Sequence, residues 1–229
     1  METTLLLWNS FLIAFSALLP LINPLGSALV FLGLAGEVPP PVYRALARKI
    51  AMNNVIFLAV VELLGSAILN FFGISLPIVQ VSGGIVISAI GWSVLNEKDS
   101  EVAAKGKREE AQASAVGGVR KLEQKAFYPF TFPVTSGPGA LVVLLTLTAR
   151  YSAGTESAKI ISHLGIFLAI LIISALVYVC YAYAVKITHA ISPSTAHGIL
   201  RVVAFILLCI GVQIAWNGLS VLLLSVLKH

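Results

Sequence analysis

The stretch Leu19-Pro20-Leu21-Ile22-Asn23-Pro24-Leu25-Gly26-Ser27-Ala28-Leu29-Val30-Phe31 decides how the whole chain is read. It lies inside a long apolar run, yet it holds two prolines, a neutral amide and a Gly-Ser pair. Proline removes a backbone donor and crowds the carbonyl one turn back. In hydrocarbon the freed groups have no water to turn to. A helix broken here is tolerable only where the break is buried in protein or lines a polar cavity. A second such stretch runs from Phe127 to Leu141 and contains Pro129, Pro133 and Ser136-Gly137-Pro138-Gly139. Paired interruptions in corresponding apolar segments are a pointer to a transport site.

The 229 residues are 58% apolar and 11% charged, with a mean hydropathy of +0.96. A soluble domain is about a quarter charged. Most of this apolar surface can only face lipid. Six apolar segments are long enough for spans of about 20 residues. They run roughly over 5–34, 45–72, 76–95, 127–148, 160–187 and 199–227. The expected fold is therefore an all-α integral membrane protein with six transmembrane helices, of which the first and fourth are discontinuous. No cleavable signal peptide is expected, because residues 1–4 lack a basic region and the first apolar run is too long. Cys180 and Cys209 lie in apolar runs without a CxxC partner, so neither a disulfide nor a metal site is implied.

The charge of +5 is distributed by loop. Twelve of the 15 Lys and Arg residues fall between, or at the facing ends of, segments one and two, three and four, or five and six. These include Arg44, Arg48 and Lys49, the cluster around Arg108, and Lys186 and Arg201. The positive-inside rule puts those loops in the cytoplasm and both termini outside. The same pattern argues against a nucleic-acid partner. His189 and His197 fall in one of these loops and match no metal spacing, so they are expected to be solvated.

The two halves resemble each other. Pro20 to Leu29 lies over Pro133 to Leu141 with one gap, and Ile90-Gly91 lies over Ile210-Gly211. With three spans per half, the halves enter the membrane in opposite directions, giving two inverted three-helix repeats. Residues 1–96 form the first repeat, 97–126 a cytoplasmic linker and 127–229 the second repeat. Chance similarity is the competing reading. The matched prolines and glycines, the least common residues in each run, favour the repeat.

These residues also resemble a known family. Asn23-Pro24-Leu25-Gly26 is similar to the Asp/Asn-Pro-Ile-Gly signature of the MarC family. Phe72-Gly73-Ile74-Ser75-Leu76-Pro77, followed by Gly83-Gly84, resembles that family's third-span signature. Pro129, Pro133 and Gly137-Pro138-Gly139-Ala140 resemble its fourth. The resemblance covers nearly the whole chain. It implies six spans in the inner membrane. Members of its SnatA branch are similar to transporters of small neutral amino acids, of the glycine and alanine kind.

A broken helix exposes backbone N–H groups at the start of its second half, where the dipole is positive and a carboxylate is stabilised. Gly26 and Gly139 would let a ligand approach closely. Ser27, Thr135 and Ser136 offer hydroxyls, and Asn23 offers a donor and an acceptor. The substrate-binding candidates are thus Asn23, Pro24, Gly26, Ser27, Thr135, Ser136, Gly137, Pro138 and Gly139. The bland alternative is that both breaks are packing devices.

Glu62 is the one acid deep in a span, about 20 Å along its helix from Lys49. It is the candidate proton-coupling residue, with a structural hydrogen bond as the alternative; no second acid or lysine at depth serves as a relay. Asn53, Asn54, Gln213 and Asn217 read as interhelical hydrogen-bonding groups ahead of substrate contacts, Gly83-Gly84 as a close-packing site, and Trp8, Trp92 and Trp216 as interface anchors.

No GxxxxGK[ST] loop, HExxH or Ser/His/Asp set occurs, so neither an ATP-driven pump nor a protease is expected, and no cofactor. The leading reading is a secondary transporter for small neutral amino acids with a proton as the coupling ion. A channel or passive pore for a small polar solute, an exporter of other small molecules and a membrane scaffold remain open.

Overall fold

A computed structural model describes residues 2–36, 38–96, 123–151, 155–190 and 193–227. Among them the chain is helical, with no strand. The elements are α1 (Glu2–Ile22), α2 (Pro24–Ala35), α3 (Pro40–Phe71), α4 (Leu76–Asn96), a wide-turned segment α5 (Ala126–Thr135), α6 (Pro138–Tyr151), α7 (Glu156–Ala182), α8 (Ala184–Ala190) and α9 (Pro193–Leu227). Among the described residues four helices are long and apolar enough to cross a membrane. Counting the bent α5–α6 pair as one span makes five. The four are α1–α2 taken together over Thr3–Leu32, α4, α7 and most of α9. The expected second span, carried by α3, is not among them. Most of the 97–126 linker, residues 97–122, lies outside the described residues.

The helices form two groups. The buried core joins α1, α2, α3, α5, α6, α7 and the start of α8 around Leu18, Phe31, Leu46, Leu58, Phe130, Leu144, Ile166 and Ile170. Beside it α4 and α9 pack on one another and lean on the core mainly through α4 and α6. The surface carries large apolar residues such as Leu12, Ile56, Leu63, Phe205 and Leu224. Lipid accepts such a surface at no cost, so burial is concentrated where helices meet rather than spread around the molecule.

The two groups use different packing. On α4 and α9 the backbones touch. A Cβ on Gly84 would stand 2.4 Å from the Ala215 nitrogen, and one on Gly211 would stand 2.5 Å from the Ser88 nitrogen. A Cβ on Gly91 would meet the Leu208 nitrogen at 2.7 Å, and one on Gly218 the Pro77 oxygen at 2.4 Å. As one helix ascends the other descends, so the pair is antiparallel. Small residues take this role where apolar burial gains nothing against lipid. Gly83 serves a different neighbour, the Val142 side chain of α6.

Several expectations are corrected at the helix ends and along α9. Lys186 and His189 stand on α8, and His197 and Arg201 on α9, rather than in a loop. Gln213 and Asn217 do not bridge helices; the Gln213 Nε2 donates to Asn217 Oδ1 at 2.9 Å, one turn along α9. Their spacing of four residues makes that bond local.

Candidate functional site

The first break is confined to one residue. Asn23 adopts a left-handed backbone (φ 41, ψ 68). Asparagine tolerates that conformation better than most side chains. Its N–H donates to Leu19 O at 2.9 Å and its carbonyl accepts from Ser27 N–H at 2.9 Å, so backbone bonding runs across the break. Its Oδ1 accepts from Gly26 N–H at 3.2 Å and caps α2, while Ser27 Oγ donates back to Asn23 O at 2.9 Å. Pro24 takes the first helical position, where its missing N–H costs nothing. The α2 N-terminus is therefore occupied by its own amide.

The second break is larger. Between α5 and α6 the chain turns by 69°. The sequence of α5 repeats a tetrad, Tyr128-Pro129-Phe130-Thr131 then Phe132-Pro133-Val134-Thr135. Tyr128 and Phe132 are extended, as residues before proline prefer. Each threonine supplies a donor where proline supplies none: Thr131 Oγ1 donates to Ala126 O at 2.8 Å, and Thr135 Oγ1 to Phe130 O at 2.7 Å. The expected half-helix is thus an irregular segment whose carbonyls are satisfied by its own hydroxyls. Periodicity gave no hint of this, because two prolines four residues apart override the helical repeat.

The breaks meet. The buried Tyr181 hydroxyl on α7 shares a hydrogen bond with Thr135 Oγ1 at 2.8 Å. Its ring stacks on Phe31, centroids 4.6 Å apart, and Phe31 in turn meets Phe130 edge-on at 5.4 Å. Ser136 Oγ donates to Asn54 Oδ1 on α3, and Asn54 Nδ2 donates to Ser174 Oγ on α7 at 2.9 Å. Ser27, Asn54, Thr135, Ser136, Ser174 and Tyr181 are all buried. A Cβ on Gly139 would stand 2.9 Å from side-chain atoms of Leu21 and Ile87. Ser27, Thr135, Ser136 and Gly139 thus gather in one region, with Asn23, Pro24, Gly26, Gly137 and Pro138 forming its two backbone turns. Among the described residues no buried side-chain polar atom lacks a partner. The polar groups of the site satisfy each other.

Tyr181 and Ser174 are residues that sequence reasoning missed. Both are single polar positions in an apolar helix, with no motif to mark them. Glu62 lies about two turns from Asn54 on α3, is buried, and pairs with His163 Nδ1 on α7. The partner is a histidine rather than an acid or lysine. A histidine within an apolar run was the available signal.

The chain matches the model of the MarC family integral membrane protein over residues 8–223. The UPF0056 inner membrane protein MarC of Salmonella paratyphi A is 26% identical over 204 residues, covering 88% of this chain and 90% of that protein. The protein of the same name from Citrobacter koseri has the same identity and coverage, and that from Escherichia coli O1:K1 is 25% identical over 205 residues. No solved structure matches the chain.

Proposed function

Given that the chain belongs to the MarC family of integral membrane proteins, we propose that it is a secondary transporter of small neutral amino acids across the inner membrane. The observation that carries this reading is Tyr181, whose hydroxyl bonds Thr135 beside one break and whose ring stacks on Phe31 of the helix that starts at the other. Two backbone breaks, each carrying polar side chains, meet inside an apolar bundle, where unsatisfied polar groups are costly. Packing alone would be served by glycine and alanine. A small zwitterion can replace the internal partners: its carboxylate takes the N–H and hydroxyl donors, and its amine takes Asn23 Oδ1 or Asn54 Oδ1.

The conformation is a closed one, with Leu21 and Ile87 against Gly139. Substrate entry requires the breaks to separate. In this reading α3 also crosses the membrane, which makes six spans in two inverted three-span halves, with the termini outside. The packing supports that arrangement: the second spans of the two halves, α3 and α7, pair together, and so do the third, α4 and α9. Glu62, paired with His163, is the proposed carrier of a coupled proton.

The test is counterflow in proteoliposomes with labelled glycine and alanine. Saturable exchange that another small neutral amino acid inhibits is the expected result. Linear, non-saturable flux would instead favour a pore, and no flux across a broad panel a scaffold.

A further inference from the structure

The α4–α9 contacts contain a two-fold pattern. Gly84 packs on Gly211, and Gly91 on Ala204. An offset of 120 residues carries Gly84 onto Ala204 and Gly91 onto Gly211, so it exchanges the two contacts. The same offset carries Asn54 onto Ser174. These two are hydrogen-bonded to one another, so their contact maps onto itself. Only a contact on a two-fold axis does that. The α3–α7 pair is also antiparallel about it, with Glu62 against His163 on one side and Arg44 over the Tyr183 ring on the other.

Around this axis the hydrogen bonding is lopsided. Asn54 holds Ser136 at the second break. The repeat lays Pro20 over Pro133 and Gly26 over Gly139, which sets Asn23 over Ser136. The image of the Asn54–Ser136 bond is therefore a bond between Ser174 and Asn23. That bond is not what Asn23 makes here: its side chain caps Gly26 instead. One break is latched to the axis and the other is capped by its own residue.

We propose that Asn54 and Ser174 form a pivot on the axis between the halves. Asn54 latches the second break in this state, and Ser174 latches Asn23 when the protein faces the other side. The inference rests on the inverted-repeat transport reading above, since such halves reach the second state by exchanging conformations. It assigns the resting orientation to an inequality at the axis, an amide on α3 against a hydroxyl on α7. The amide reaches two partners at once; a hydroxyl has one proton to give.

The experiment reads orientation without substrate. A reporter cysteine, Ser27→Cys in a Cys180→Ser/Cys209→Ser background, is labelled with an impermeant maleimide from each face of oriented vesicles. Asn54→Ala should change the ratio of labelling from the two faces by about fivefold, the effect of one buried hydrogen bond on a two-state population. The exchange variant Asn54→Ser/Ser174→Asn keeps one amide and one hydroxyl on the axis, so it should fold and should reverse the parent's preference. If Asn54→Ala does not fold, the exchange variant carries the test. An exchange variant that keeps the parent's ratio, or that cannot fold, overturns the pivot. Absence of amino-acid flux in the parent, with labelling still reversed in the exchange variant, would sink the transport reading and leave the pivot standing.

Discussion

At the scale of single residues, the buried Glu62–His163 pair separates two roles that structure alone joins. Glu62→Gln keeps the size and a hydrogen-bonding group but cannot carry a proton as a carboxyl does. If the acid couples transport to the proton gradient, the variant exchanges substrate across proteoliposomes at near the parent rate yet fails to accumulate it. Accumulation equal to the parent's would assign Glu62 a structural role. His163→Ala leaves the acid without its partner and should lower stability by about 1–3 kcal/mol in a detergent melt. Asn23→Ala removes the α2 cap and should cost roughly 0.5–2 kcal/mol, with Pro24 still starting the helix. Gly139→Val meets Leu21 and Ile87 before it meets any ligand. It should therefore stop exchange by holding the breaks apart, at an overpacking cost of about 1–3 kcal/mol read in the same melt.

At the scale of elements, the α4–α9 contact is the most demanding in the molecule. The atoms that a Cβ on Gly84 or Gly211 would meet include backbone, which cannot rotate aside as a side chain can. Gly211→Leu should therefore separate the pair and abolish recovery of folded protein. Gly198, on the same helix, has nothing within 4 Å of its added Cβ. Gly198→Ala should be neutral or stabilise α9 by up to about 1 kcal/mol, since alanine is the better helix former. Equal losses from both substitutions would mean that the close α4–α9 approach contributes nothing. The two breaks differ in kind for a similar local reason. Asn23 mends its break within one turn, whereas Pro129 and Pro133 force α5 out of the helix and leave threonines to satisfy the carbonyls.

At the scale of the whole molecule, the charge pattern makes a prediction about orientation. Single cysteines at positions 2 and 108, in a Cys180→Ser/Cys209→Ser background, should react oppositely with an impermeant reagent. Position 2 should label from outside and position 108 only after the membrane is opened. The reverse pattern would mean that the basic residues do not mark the cytoplasmic side. The distribution of burial also suits a transport cycle: one core holds seven of the elements, and the α4–α9 pair touches it along a narrower contact. Two bodies with a slim interface can shift against each other at modest cost.

The class of molecule, its family and the position of both breaks were legible in the residues alone. These follow from composition and from proline and glycine within apolar runs, which are local properties that no neighbour can alter. The small residues Gly83-Gly84 marked a close approach for the same reason, though not which helix comes near. It took the folded chain to show that the breaks meet through Tyr181, that Asn54 joins Ser136 to Ser174, and that His163 faces Glu62. Each of those contacts joins residues at least 46 positions apart in the chain. A lone polar residue in an apolar helix can equally face a partner, a cavity or lipid. Its role is set by what packs against it, and that is fixed by the crossing of helices rather than by the residues on either side of it.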